Sequence, residues 1–209
     1  DISWYDPAQT EYTIDTPAKL AGLAALVNGM ADPAAKAIVG DRSYLVSKKV
    51  DNVMLVGAGG GNVFDTVYTG GVDFAYKTIY LTADLDMGGR KAADGSWTGP
   101  NWTPIGGKFP MKPQEASGDC LTLDTRFNGV LDGQGHTIYN LYCGRCAAKG
   151  FPYSMAVGVV GFLGGNADYA NGGNGEKTEA EFKNGWQPAV RNLVLGSGSI
   201  YGRRMVGGI

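Results

Sequence analysis

Histidine is almost missing from this chain: His136 is the only one among 209 residues. A single imidazole rules out histidine-rich metal sites and leaves most acid–base relays without a second member. Cysteine is scarce too. Cys120, Cys143 and Cys146 are too few for a disulfide scaffold. Cys143 and Cys146 form one CxxC, in "YCGRCAAKG", but a zinc site needs a second such pair or histidines at ligand spacing. A thioredoxin-like motif needs a helix starting at the first cysteine, whereas here that cysteine closes a strand-like segment. Neither metal nor cofactor is expected. Charged residues make up 18% of the chain and the net charge is -2. Without a basic surplus to neutralise phosphates, nucleic acid is not an expected partner. No apolar run reaches the roughly 18 residues a membrane span requires, so no transmembrane segment is expected. No charged-then-apolar leader opens the sequence, which predicts a signal peptide that is absent or removed.

What is abundant is glycine. The chain has 34, against an average usage of about 7%. With 44% hydrophobic residues and many aromatics, this is a folding composition that predicts short strands joined by tight turns. One helix is expected over about 17–28, in "IDTPAKLAGLAALVNG". Thr16 suits the N-cap, Pro17 the first turn and Gly29 the stop, while Leu20, Leu23, Leu26 and Val27 supply an apolar stripe. A second short helix is expected from Asp32-Pro33. Residues 1–43 are read as an N-terminal cap and 44–209 as a strand array, interrupted by a polar, glycine-rich insert at 165–188. Within that insert, Thr178 and Glu181 have capping-box spacing. "VMLVGAGGGN" looks like a phosphate-binding loop, but the β-like "VFDTVYTGG" follows it where a helix is needed.

The chain also repeats itself. "IYNLYC" at 138–143 matches "VRNLVL" at 190–195, and "VGVVG" at 157–161 matches "VGGI" at 206–209. Such repeats predict stacked units, here a parallel β-solenoid. Asn140 and Asn192 are expected at its corners, stacked as an amide ladder, because asparagine tolerates left-handed backbone. Asp132-Gly133 and Gln134-Gly135 read as a turn, with Gly133 and Gly135 as further corner residues and His136 at the exit. The last copy breaks off at "RRMVGGI", which predicts a piece of a longer protein with further repeats as neighbours. If one disulfide forms, Cys120–Cys143 is the expected pair, since Cys143–Cys146 would close a strained short loop.

"WTPIGG", "FNGVLDGQGHTIYNLYC", "GVVGFLGG", "VRNLVL" and "MVGGI" resemble the GLUG-type repeat region of bacterial cell-surface, adhesin-like proteins. That region also occurs beside the protease domain of IgA-specific metallopeptidases. The resemblance spans roughly residues 10–209 and is strongest from Trp102 to Gly164. It implies a mostly β chain, a right-handed parallel β-helix with an N-terminal capping helix, secreted or attached to the cell wall and without catalytic residues. The CxxC, the insert and "LVGAGGGN" depart from the pattern.

The expected function is therefore a non-catalytic surface module, an adhesin-like platform or stalk of a larger extracellular protein. Its expected partner is a glycan or a host surface protein. Trp97, Trp102, Tyr153, Tyr169 and Trp186 lie in or beside turns, where aromatic faces can stack on sugars or simply cover apolar neighbours. The alternative is a carbohydrate-active enzyme, because "LDGQG" resembles a segment of β-helical polygalacturonases and lyases. Asp84, Asp86 and Asp132 would then be the catalytic carboxylates, with Asp124 a further candidate. The Asn-Thr-Asp-Gly turn and the histidine motif of those enzymes are missing, and basic residues are too scattered for a lyase.

Overall fold

The helix α1 occupies Pro17–Val27. Thr16 adopts extended backbone and its hydroxyl accepts from the Lys19 N–H at 3.3 Å. At the other end Gly29 takes a φ of 67°. The Met30 N–H then reaches the Ala25 carbonyl and the Gly29 N–H the Leu26 carbonyl, the paired bonds of a Schellman stop. Leu20, Leu23 and Leu26 are fully buried. At about 2 kcal/mol for each buried leucine, this face outweighs the helix's own marginal propensity. Gly22 is required because the Asp1 carbonyl occupies the space a Cβ would fill.

The computed structural model describes residues 1–38, 46–56, 62–72, 74–110, 122–143, 157–164, 185–201 and 206–209, with backbone alone over 46–56, 62–70, 108–110 and 122–124. The first strands are β1 (Glu11–Ile14), β2 (Ala31–Asp32), β3 (Ala37–Ile38), β4 (Val46–Val56), β5 (Asn62–Gly70) and β6 (Thr78–Leu81). Next come β7 (Leu85–Asp86), β8 (Arg90–Lys91), β9 (Trp97–Thr98), β10 (Gly107–Pro110), β11 (Thr122–Thr125) and β12 (Val130–Asp132). The last are β13 (Thr137–Tyr139), β14 (Leu141–Cys143), β15 (Ala189–Arg191), β16 (Val194–Leu195) and β17 (Gly198–Ile200).

The expected right-handed parallel β-helix is not found. The described strands form several small sheets of both senses beside one helix. One four-stranded sheet, β1-β6-β12-β15, is parallel, as are β16-β13-β7 and β14-β17. The other four-stranded sheet, β10-β11-β5-β4, is mixed: β4 and β5 are antiparallel partners, and so are β10 and β11. Two short hairpins, β2–β3 and β8–β9, complete the set. The reason is that alternation specifies a strand and its two faces, but leaves the direction of its neighbour open. The 11 residues of β4 and 9 of β5 are long enough to pair with each other, and an antiparallel pair needs only a short connection.

The second helix expected after Asp32 is also replaced, by the β2–β3 hairpin. Asp32 Oδ1 takes the Ala34 N–H at 2.9 Å, and Lys36 has a φ of 54°. These are turn contacts, and aspartate favours them over helix continuation. Residues 57–61 of "LVGAGGGN", the capping-box spacing at 178–181 and most of the insert lie outside the described residues; the flanking Leu55, Val56 and Asn62 belong to β4 and β5.

The core begins with rings. Trp4, Tyr5, Tyr12 and Phe74 pack with centroids 5.3–6.4 Å apart, and Phe127 joins Phe74 at 6.1 Å. Inward residues of the parallel strands, Ile14, Ile79, Leu81, Leu85, Leu131 and Ile138, continue it. Asn28, fully buried at the end of α1, ties this core to the neighbouring segments. Its amide donates to the Pro104 carbonyl at 2.9 Å, and its Oδ1 accepts from the Gly106 N–H and the Thr125 hydroxyl.

Candidate functional site

The three aspartates proposed from the sequence occupy two sheets. Asp84 and Asp86 flank the buried Leu85 of β7, so both point outward, whereas Asp132 ends β12 opposite Tyr80 of β6. Each carboxylate is engaged locally. Asp84 Oδ1 accepts the Thr137 N–H at 2.8 Å and lies 3.2 Å from His136 Nδ1. Asp86 Oδ1 takes the Gly88 N–H at 2.9 Å and the Asn140 amide at 3.0 Å, with the Arg90 guanidinium at 3.4 Å. Asp132 takes the Gln134 N–H, the Asn192 amide and, on Oδ2, Arg191 Nε at 2.9 Å.

These donors stabilise the ionised form. The Thr137 N–H and then His136 hold Asp84 below the usual carboxylate range, and the Asn140 amide and Gly88 N–H do the same for Asp86. Burial works to raise Asp132, but Gln134, Asn192 and Arg191 outweigh it and its carboxyl is also lowered. A general acid for glycoside cleavage needs the opposite shift. Among the described residues, no hydroxyl or thiol hydrogen-bonds His136. The histidine sits where a turn ends, its N–H on the Gly133 carbonyl.

The corner residues divide differently from the repeat alignment. Asn140 and Asn192 both have left-handed backbone, with φ of 56° and 51°. They do not stack on each other. The register sets Leu131 against Val190 and Ile138 against Leu195, which brings Asn192 beside Gly133 and Ser197 beside Asn140. Each amide instead meets an aspartate, and the Ser197 hydroxyl extends the Asp86–Asn140 column to Asn140 Oδ1. Gly133 has to be glycine because a Cβ would lie 2.5 Å from the Asn192 carbonyl oxygen, and Gly135 turns with a φ of 83°.

The aromatic candidates also separate. Trp102 is 5% exposed and donates its indole N–H to the Gly158 carbonyl at 3.0 Å, so its ring is consumed by packing. Trp186 is half-buried, donates to the Asn128 carbonyl and meets the exposed Tyr76 at 5.6 Å between centroids. Trp97 is half-buried in β9. Tyr153 and Tyr169 lie outside the described residues, as do Cys120 and Cys146; Cys143 is buried.

Sequence reasoning missed a cleft of about 250 Å³ lined by Trp4, Gln9, Glu11, Tyr12, Thr13, Lys19 and Tyr80. Alternation along β1 turns Glu11 and Thr13 outward and Tyr12 inward as the floor. The parallel register sets Thr13 against Tyr80. The Tyr80 hydroxyl donates to Glu11 Oε1 at 3.3 Å. Desolvation, and then the Glu11 charge, raise the Tyr80 pKa above its ordinary value. Burial pushes Tyr12 up to about 12, and its hydroxyl contacts the Asp6 and Gln9 carbonyls. Lys77 clamps the same loop through the Pro7 and Gln9 carbonyls. Lys19 pairs with Asp15 at 2.8 Å. The only signal in the sequence was the aromatic density of "DISWYDPAQTEYT".

Among the described residues, no helix is long and apolar enough to cross a membrane, and no cluster of three or more His, Cys, Asp or Glu side chains is placed to hold a metal ion. In comparisons with known proteins, no family model, no curated protein and no solved structure matches this chain.

Proposed function

We propose that this chain is a non-catalytic module of a bacterial surface protein, an adhesin-like platform that holds glycans outside the cell or at its wall. The observation that carries this reading is the state of Asp84, Asp86 and Asp132. Each accepts two or more hydrogen bonds within its own turn or strand neighbourhood, and each is held below the usual carboxylate range. Carboxylates held this way lock turns and are poor proton donors near neutral pH. The resemblance of "FNGVLDGQGHTIYNLYC" to the GLUG-type region supports the bacterial surface setting. The half-buried Trp97 and Trp186 and the exposed Tyr76 support sugar binding, since an aromatic face gives contact area at a low cost in side-chain entropy.

The test combines turnover with retention. The chain is incubated with pectins, other polyuronides and neutral glycans, and is separately applied to a glycan array. The expected result is retention without cleavage. Turnover abolished by Asp84→Asn, Asp86→Asn or Asp132→Asn would replace this reading with a carbohydrate-active enzyme.

A further inference from the structure

Resting on that reading, we infer that the cleft between the N-terminal loop and the β1–β6 edge is a binding subsite for one neutral pyranose ring. Three features of the cleft converge on that ligand. The first is a pre-set aromatic wall. Trp4 is half-buried and braced edge-on by Tyr5 and Tyr12, at 6.1 Å and 5.3 Å between centroids. Its indole N–H is already taken by the Asp1 carbonyl, so what it offers the cleft is ring surface. An apolar sugar face packs on such a ring, and bracing removes the ordering cost of binding.

The second feature is the rim. Glu11, Gln9 and Lys19 place a carboxylate, an amide and an ammonium around the same space, and Tyr80 adds a second ring with a hydroxyl. A carboxylate accepts two adjacent sugar hydroxyls, while the amide and ammonium donate to others. Hydrogen bonds to charged groups are the stronger kind. A few convergent polar groups around an apolar wall are what a small-ligand site requires.

The third feature is the charge balance, which selects the class of sugar. Asp15 neutralises Lys19 at 2.8 Å, and the Lys77 ammonium beside the Tyr12 floor offsets the Glu11 carboxylate, so no net charge is left to draw uronates or other acidic sugars. A cationic ligand is disfavoured too, because Lys77 Nζ already lies over the Tyr12 ring, 5.6 Å from its centroid. Neutral hexoses remain. The cleft volume of about 250 Å³ suits a single ring better than an extended chain.

The experiment uses the full chain with methyl glycosides of glucose, galactose and mannose, and with methyl glucuronide, read by saturation-transfer NMR and by titration of tryptophan fluorescence. Glycan-array retention is run alongside. Glu11→Ala and Tyr80→Ala are expected to weaken binding of the preferred neutral glycoside about tenfold. Lys91→Ala, at an exposed residue outside the cleft lining, should leave it unchanged. Near-UV circular dichroism checks the fold of each variant, and Glu11→Gln, which keeps size and removes charge, stands in if Tyr80→Ala fails to fold. Glycan retention that survives Glu11→Ala, Glu11→Gln and Tyr80→Ala would overturn this subsite while leaving the module reading intact. Preference for methyl glucuronide would overturn the neutral-sugar assignment. A chain that retains no glycan at all would overturn both the subsite and the glycan-holding function.

Discussion

The N-terminal region and the turns of the parallel strands are held together in different ways. Around α1, Leu20, Leu23, Leu26 and Phe74 are fully buried, and four aromatic rings interlock. At the turns, the exposed Asp84, the half-buried Asp86 and the buried Asp132 collect backbone N–H groups and side-chain amides. The first region depends on apolar area removed from water. The second depends on fixed hydrogen-bond geometry around left-handed residues. The same difference separates the two sets of proposed binding residues. The cleft at Trp4 and Tyr80 is built on the buried cluster and inherits its rigidity, whereas the aspartates that looked catalytic belong to the turns. A carboxylate beside a turn is therefore weak evidence for chemistry until its hydrogen bonds are counted.

Truncation in the buried region should give the largest effect. Phe74→Ala is expected to cost about 4 kcal/mol, by lost transfer energy and a cavity among Trp4, Tyr5, Tyr12 and Phe127. Urea denaturation measures it, and a cost no larger than that of a turn variant would erase the distinction between the regions. Asn28→Ala should follow at about 3 kcal/mol, because it leaves the Gly106 N–H and the Pro104 carbonyl buried without partners. This variant sharpens the comparison, since it tests a hydrogen-bonded group placed inside the buried region.

Asn140→Ala should cost about 2 kcal/mol, combining the lost bond to Asp86 with alanine in a left-handed conformation. Asn140→Gly should cost about half as much, since glycine accepts that backbone freely. Equal losses in the two variants would show that backbone strain contributes nothing at this corner.

The smallest effect is in pH. Asp84, Asp86 and Asp132 all have folded-state pKa values below the ordinary 3.8. Their contribution is complete above that value and is lost as the pH falls through the lowered folded values. The urea midpoint should therefore hold steady from pH 7 to about pH 5 and fall below pH 4. Asp84→Asn with Asp86→Asn should flatten the acid limb, and an unchanged limb would mean that other carboxylates produce it.

The helix was legible because its signals are local. Thr16, Pro17 and Gly29 act within a few residues of their own positions, and the leucine spacing reports a single face. The turn at Asp132–Gly135 was legible for the same reason. Strand direction was not. "VSKKVDNVMLV" and "NVFDTVYTG" alternate equally well for a parallel or an antiparallel neighbour, and the structure pairs them with each other. The repeat alignment also misplaced Asn192, because the similarity between "IYNLYC" and "VRNLVL" is matched by composition while the ladder is set by the core residues Leu131 and Ile138.

By itself, then, the sequence determined where α1 starts and stops, which of its leucines face inward, and where the turn at Asp132–Gly135 falls, since backbone conformation and burial preference act over short distances. Tertiary structure alone decided which strands became neighbours, that Asn28 would join segments near 104 and 125, and that Trp4, Glu11, Lys19 and Tyr80 would share one cleft. Those choices compare the free energies of whole packings, in which residues 60 to 100 positions apart compete for the same buried surface, and no local pattern records that competition.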